Sequence, residues 1–198
     1  MLILASASPR RSQLLADAGF VFSVAPCRLP EPTQPPPGLS PVRWAEALAY
    51  FKASAVAREH PDAWVLGADT LVACAGELLG KPSDAADAQR MLQLQAGRRS
   101  DVITGVALVH RAPSQRHLTH AVTGVWMRDD PALITEYVAS GDWAGKAGAY
   151  GIQTVGDRLI ERLDGSFSNV VGLPIELIVQ LLATAGLQPR PTGGLVAP

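Results

Sequence analysis

Leu2-Ile3-Leu4-Ala5-Ser6-Ala7-Ser8-Pro9-Arg10-Arg11 stands at the start of the chain, and its reading sets the fold. Leu2 to Ala5 is a short apolar strand. Ser8 then serves as an N-cap and Pro9 as a first helical residue, with Leu14, Leu15 and Ala18 as the apolar face and Gly19 as the stop. A strand, a turn and a helix in that order are the first unit of an α/β protein. Outward from it, Phe20 to Ala25 reads as a second strand, followed by a loop too rich in proline, from Pro26 to Pro41, for regular structure. Ser40 and Pro41 open a helix in which Trp44, Leu48, Lys52 and Ala55/Val56 recur at spacings of three to four, so Lys52 shares the apolar face.

Further along, Trp64 to Ala73 reads as a buried strand, Ala75-Gly76 as a turn, and Ser83 as the cap of a helix running to Gln95. Val102 to His110 and His117 to Arg128 flank a turn at Pro113-Ser114 as a hairpin, and Pro131 begins a helix that ends near Gly141. Leu159 to Leu163 is one more strand and Pro174 to Ala185 the last helix. Strands interleaved with helices around a central hairpin predict an α/β fold with a mixed, twisted sheet and flanking helices. Residues 1–187 are expected to form a single domain of two lobes around a central cleft. Residues 188–198, with three prolines and two adjacent glycines, read as a disordered tail.

Composition narrows the function classes. In 198 residues, 47% are apolar and 18% charged, enough for one sizeable core. A formal net charge of −1 offers no overall field for nucleic acid or an anionic membrane, so neither is expected as a partner. Cys27 and Cys74 have neither metal-ligand spacing nor disulfide density, which suggests a reducing, cytoplasmic setting. The start lacks a basic n-region and is read as mature protein. The apolar stretch Val170 to Leu187 carries Pro174, Glu176 and Gln180, and reads as a docked helix rather than a membrane span.

Chemistry concentrates in a few places. Arg10 and Arg11 oppose the macrodipole in the first turn of their helix, at a cost that an anion would remove. Free N–H groups there, the hydroxyls of Ser6 and Ser8 and two guanidiniums together make a plausible polyphosphate cradle. Of 17 basic residues only Lys52, Lys81 and Lys146 are lysines, each in an unusual place: an apolar helix face, a Gly80-Lys81-Pro82 clamp and the glycine-rich run 143–151. Asp69 interrupts the apolar strand, and a buried carboxylate requires a cation, a metal or hydrogen-bond donors. Two other patterns fail on spacing. Gly76 to Pro82 lacks the glycine interval and the Ser or Thr of a P-loop, and His117 and His120 fall on opposite faces of a strand.

Assembled in order, these segments resemble the Maf family of nucleoside triphosphate pyrophosphatases from Leu2 to Leu187. The matching motifs are 4–11, Lys52-Ala53, Gly67-Ala68-Asp69-Thr70, Gly80-Lys81-Pro82, Val102 to Val106, Lys146 to Gln153 and Asn169 to Pro174. The resemblance implies a cytoplasmic hydrolase of nucleotide metabolism that cuts the α–β phosphoanhydride of dTTP and UTP, and of modified pyrimidine nucleotides, with a divalent Mg or Mn. It implies a homodimer and a Maf/ITPase-like fold. Asp69 matches the proton acceptor; Ser8, Arg11, Lys52, Lys81 and Lys146 would bind substrate, and Glu31 and Asp69 the metal.

Three positions separate the subgroups. Arg10, Thr70 and Gln153 match members acting on dTTP and UTP, whereas members acting on 7-methyl-GTP have Trp, Gln and Glu there. The Gln153 amide both donates and accepts, which suits the edge of uracil or thymine. Gly97-Arg98-Arg99-Ser100 departs from the family pattern and is assigned no role. Alternative readings are a nucleotide-binding regulator of cell division without turnover, and a 7-methyl-GTP-type pyrophosphatase.

Overall fold

A computed structural model describes residues 1–153 and 155–190, with the main chain alone at Val155. The expected tail lies outside the described residues from 191 onward; residue 190 is tied back by its N–H, which donates to the Gly19 carbonyl at 2.8 Å. The elements run β1 (Leu2–Leu4), α1 (Pro9–Asp17), β2 (Ser23–Val24), α2 (Pro41–Glu59), β3 (Trp64–Cys74), β4 (Glu77–Leu79) and α3 (Ala85–Gln95). Then come β5 (Arg99–His110), β6 (Gln115–Met127), α4 (Pro131–Ser140), β7 (Ile160–Asp164), α5 (Phe167–Val171) and α6 (Ile175–Thr184).

Seven strands form one mixed sheet in the order β2-β1-β3-β5-β6-β7, with β4 also on β3. β2, β1 and β3 are parallel; β3, β5, β6 and β7 are antiparallel. The expected mixed α/β architecture is therefore the one observed. On one sheet face, Leu66, Ala68, Val106 and Leu108 bury against Leu15 of α1 and Ile178 and Leu182 of α6. Further along, Val72, Val102 and Val125 bury against Leu92 of α3 and Ile134 and Tyr137 of α4. Two clusters on one sheet leave a gap between them.

The edge of β3 has a gap at the same place. β1 pairs with Trp64 to Leu66 and β4 with Val72 to Cys74, so among the described residues no strand lies beside 67–71 on that side. After Ala5, whose N–H still donates to the Leu66 carbonyl at 2.8 Å, the chain turns away into α1. The mouth of the molecule is this split, and Asp69 and Thr70 sit in it.

The opposite face is covered by α2. Ala45, Ala49, Ala53 and Ala57, all fully buried, form a stripe at four-residue spacing. It lies against strand residues with no side chain to interpose. A Cβ added at Gly67 would collide with the Ala49 carbonyl oxygen, and one at Gly105 with the Ala45 carbonyl. Glu46 is buried on the same helix and holds it to the hairpin, accepting from Arg43 at 2.9 Å and meeting His120 Nδ1 at 2.8 Å.

Some expectations need correction. β2 spans two residues rather than Phe20 to Ala25, because β1 offers only Ile3 and Leu4 to pair with Ser23 and Val24, and Phe20 turns into the core instead. The cap of α3 is Asp84, not Ser83: the Asp84 carboxylate accepts the Asp87 N–H at 2.8 Å. β4 and α5 were not expected at all.

Gly67→Ala and Gly105→Ala should each lose about 3 kcal/mol of unfolding free energy through overpacking against the α2 backbone. Gly76→Ala, at a left-handed turn with open space around it, should lose only about 1 kcal/mol. Urea denaturation of the three variants checks the contrast.

Candidate active site

The split in the sheet opens into a cleft of about 640 Å³. All ten residues singled out from the sequence line it: Ser8, Arg10, Arg11, Glu31, Lys52, Asp69, Thr70, Lys81, Lys146 and Gln153. Five cations face two carboxylates there, an excess of three positive charges in a chain whose formal net charge is −1. Such a concave, positively charged site raises the local concentration of an anion with several charges.

At its floor, α2 places Lys52 beside β3. The ammonium donates to Asp69 Oδ1 at 2.5 Å and lies 2.9 Å from Glu31 Oε2. Lys52 and Asp69 are both buried, whereas the Glu31 side chain is 48% exposed and arrives from the proline-rich loop. Two hard oxygen donors held apart by one cation are a set that suits a divalent ion of the magnesium class, which takes one or two carboxylates and completes its sphere with water and phosphate. Among the described residues no group of three or more histidine, cysteine, aspartate or glutamate side chains could hold a metal on protein ligands alone.

One wall is the start of α1. Ser8 is its N-cap, accepting from the Arg11 N–H, and Pro9 is its first residue. Arg11 lines the split: its Nε donates to the Gly172 carbonyl at 2.8 Å, Nη1 to Ser6 Oγ at 3.3 Å and Nη2 to Thr70 Oγ1 at 3.0 Å. These acceptors are neutral, so the guanidinium is fixed in position while its charge meets no carboxylate directly among the described residues. Burial lowers the Arg11 pKa from its ordinary value; Asp69 and Glu31 oppose that effect and Arg10 adds to it. Arg10 is half-buried and makes no hydrogen bond among the described residues.

Thr70 is thereby committed to the wall. Its hydroxyl also meets Thr104 Oγ1 at 2.9 Å, and Thr104 donates to the Asn169 carbonyl at 3.4 Å. Asn169, fully buried, donates from Nδ2 to the Val102 carbonyl at 3.0 Å and to Thr123 Oγ1 at 2.9 Å. This chain anchors α5 to β5 and β6, and so sets the Gly172 carbonyl that receives Arg11. Ser6, read from the sequence as part of the cradle, holds Arg11 in place, whereas Thr104 and Asn169 were not singled out as site residues. The signal for Thr104 was a polar residue inside an otherwise apolar run.

The far wall is the loop after α4. Lys146 is buried, with its ammonium donating to the Asp142 carbonyl and 3.4 Å from the Asp142 carboxylate. The Gly148 N–H donates to the Gly80 carbonyl at 3.0 Å, tying this loop to the one that carries Lys81. Gln95, also buried, donates to the Gly148 carbonyl at 2.8 Å. Lys81 is exposed and forms no ion pair among the described residues, and Gln153 lies exposed on the rim. The cleft thus has a fixed floor and wall, and a rim with free cations.

Comparison with known proteins places this arrangement among relatives. A family model described as Maf-like protein matches residues 1–185. A dTTP/UTP pyrophosphatase of Moorella thermoacetica is 48% identical over 187 residues, covering 94% of this chain and 95% of that protein. Proteins of the same name from Geobacter metallireducens and Deinococcus radiodurans are 46% and 44% identical, over 93% and 94% of this chain and 96% and 93% of their own.

Lys52→Ala should destabilise the fold by about 3 kcal/mol, because it strands the buried Asp69 carboxylate. Lys52→Met combined with Asp69→Leu should recover most of that loss. Thermal unfolding of the single and double variants measures the difference.

Proposed function

The chain belongs to the Maf-like protein family, and from that premise we propose that it hydrolyses dTTP and UTP to the nucleoside monophosphate and pyrophosphate. The observation that carries this reading is the Lys52 ammonium bridging Asp69 and Glu31 at the floor of a cleft whose wall holds Arg11 on neutral acceptors. A site of this kind positions phosphates and neutralises their charge, which is most of what phosphoryl transfer requires of a protein. The names of the relatives, each a dTTP/UTP pyrophosphatase, support the substrate class.

In the proposed reaction Arg11, Lys81 and Lys146 grip the triphosphate, and the Ser8 hydroxyl and the Arg10 N–H in the first turn of α1 add hydrogen bonds to its oxygens. Lys52 holds Asp69 by Oδ1, leaving Oδ2 to take a proton from the attacking water. The water oxygen joins the α-phosphorus, the bond from that phosphorus to the bridging oxygen breaks, and pyrophosphate leaves with the electron pair. Glu31 and Asp69 are the residues that would hold a divalent Mg or Mn, which when bound supplies charge neutralisation at the phosphates.

Base selection falls to the rim. Gln153 can offer one donor and one acceptor to the edge of uracil or thymine, and Arg10 lines the same cleft. Thr70 acts on the same choice through the position of Arg11. The homodimer that the resemblance implies belongs to the proposal too.

Pyrophosphate release across dTTP, UTP, CTP, dATP, GTP and 7-methyl-GTP, with Mg²⁺ or Mn²⁺, tests the reading. Turnover should be fastest with dTTP and UTP. Binding of dTTP with no pyrophosphate formed would make the protein a nucleotide-binding regulator instead, and a preference for 7-methyl-GTP would move it to the other subgroup. Asp69→Asn should abolish turnover and keep nucleotide binding within a few-fold. Gln153→Glu, which loses the amide donor, should lower kcat/KM for dTTP about tenfold, equal to roughly 1.4 kcal/mol.

A further inference from the structure

Away from the cleft, a second cavity of about 470 Å³ opens where α2 meets the tip of the β5–β6 hairpin. Tyr50, Ser54 and Arg58 reach it from α2 at four-residue spacing. Lys52 lies about 200° around the helix from Tyr50 and serves the cleft instead. From the hairpin come Arg111 and Arg116.

The groove carries charge of one sign only. Among the described residues no carboxylate lines it. Arg43, Arg90, Arg99 and Arg158 all have carboxylate partners elsewhere, whereas Arg58, Arg111 and Arg116 have none among the described residues. The Arg116 guanidinium lies 5.8 Å from the Tyr50 ring centroid, within reach of a cation–π contact. The Ser54 hydroxyl, then Arg116 and Arg58, hold the Tyr50 phenol below its ordinary pKa against the opposing effect of burial. Three cations drawn into one groove repel each other, and an anion with two or more charges relieves that repulsion. Guanidiniums with neighbouring hydroxyls are the donors that grip phosphate oxygens in pairs.

We infer that this groove is a second anion site, taking a small phosphate-bearing ligand: inorganic pyrophosphate, or the polyphosphate tail of a nucleotide. The inference rests on the groove alone and stands whether or not the cleft performs the proposed reaction. A ligand there would touch the same helix that carries Lys52, on its other side.

Equilibrium dialysis with labelled pyrophosphate at physiological salt tests it. The Arg111→Ser/Arg116→Ser double variant should lose one bound pyrophosphate per chain, its groove affinity falling at least tenfold. Arg11→Ala, which alters only the cleft, should keep that site. Arg58→Ala, from the helix side, should show the same loss as the hairpin variant and guards against a local effect on the hairpin. Excess α,β-methylene dTTP should displace the groove pyrophosphate if the site takes nucleotides, and leave it in place if it takes the inorganic anion. Pyrophosphate binding unchanged in both groove variants, or abolished outright by Arg11→Ala, overturns the proposal.

Discussion

The distance between α2 and the sheet governs the rest of the structure. Ala45, Ala49 and Ala53 lie directly on β3 and β5 because Gly67 and Gly105 present no side chain there. Within this stretch Lys52, the residue before Ala53, comes within 2.5 Å of Asp69. A larger residue at either glycine would lift the helix, and the first contact to open would be that ion pair. Packing and chemistry are thus coupled through one helix–sheet interface, in which small residues on both sides set how far the lysine stem reaches.

The same sheet explains why the cleft lies where it does. β1 leaves β3 after Leu66 and β4 joins it only at Val72. The edge left between them is where the chain cannot close its own ladder, and ligand sites in α/β sheets gather at such divergences. Each side of the split contributes a different element: the start of α1, the proline-rich loop with Glu31, and the loop carrying Lys146. Arg11 lines the split, bonded to Gly172 and to Thr70, which themselves lie 3.5 Å apart. It is therefore both part of the wall and a free charge within it.

Much of this was legible in the sequence. Ser8, Pro9 and the apolar spacing behind them fix α1, and a lysine on an apolar helix face and an aspartate inside an apolar strand each stood out, although the sequence left the partner of Asp69 open. What escaped was tertiary. β4 has three residues and α5 five, too short for periodicity to show. The length of β2 was set by the shortness of its partner β1, which no local pattern in Phe20 to Ala25 reveals. Thr104 and Asn169 lie 65 residues apart in the sequence, and only the fold puts them in one chain of hydrogen bonds behind Arg11. The Lys146 ammonium turns toward Asp142, an i, i+4 neighbour hidden in an irregular loop where such spacing has no fixed meaning.

The central claim is that this floor and wall direct water to the α–β linkage of a pyrimidine triphosphate. Phosphorus NMR of dTTP incubated with the protein and Mg²⁺ tests it most directly. The three triphosphate resonances should give way to those of thymidine monophosphate and pyrophosphate, without orthophosphate or diphosphate as primary products. Accumulation of thymidine diphosphate and orthophosphate, or an unchanged spectrum, would contradict the account.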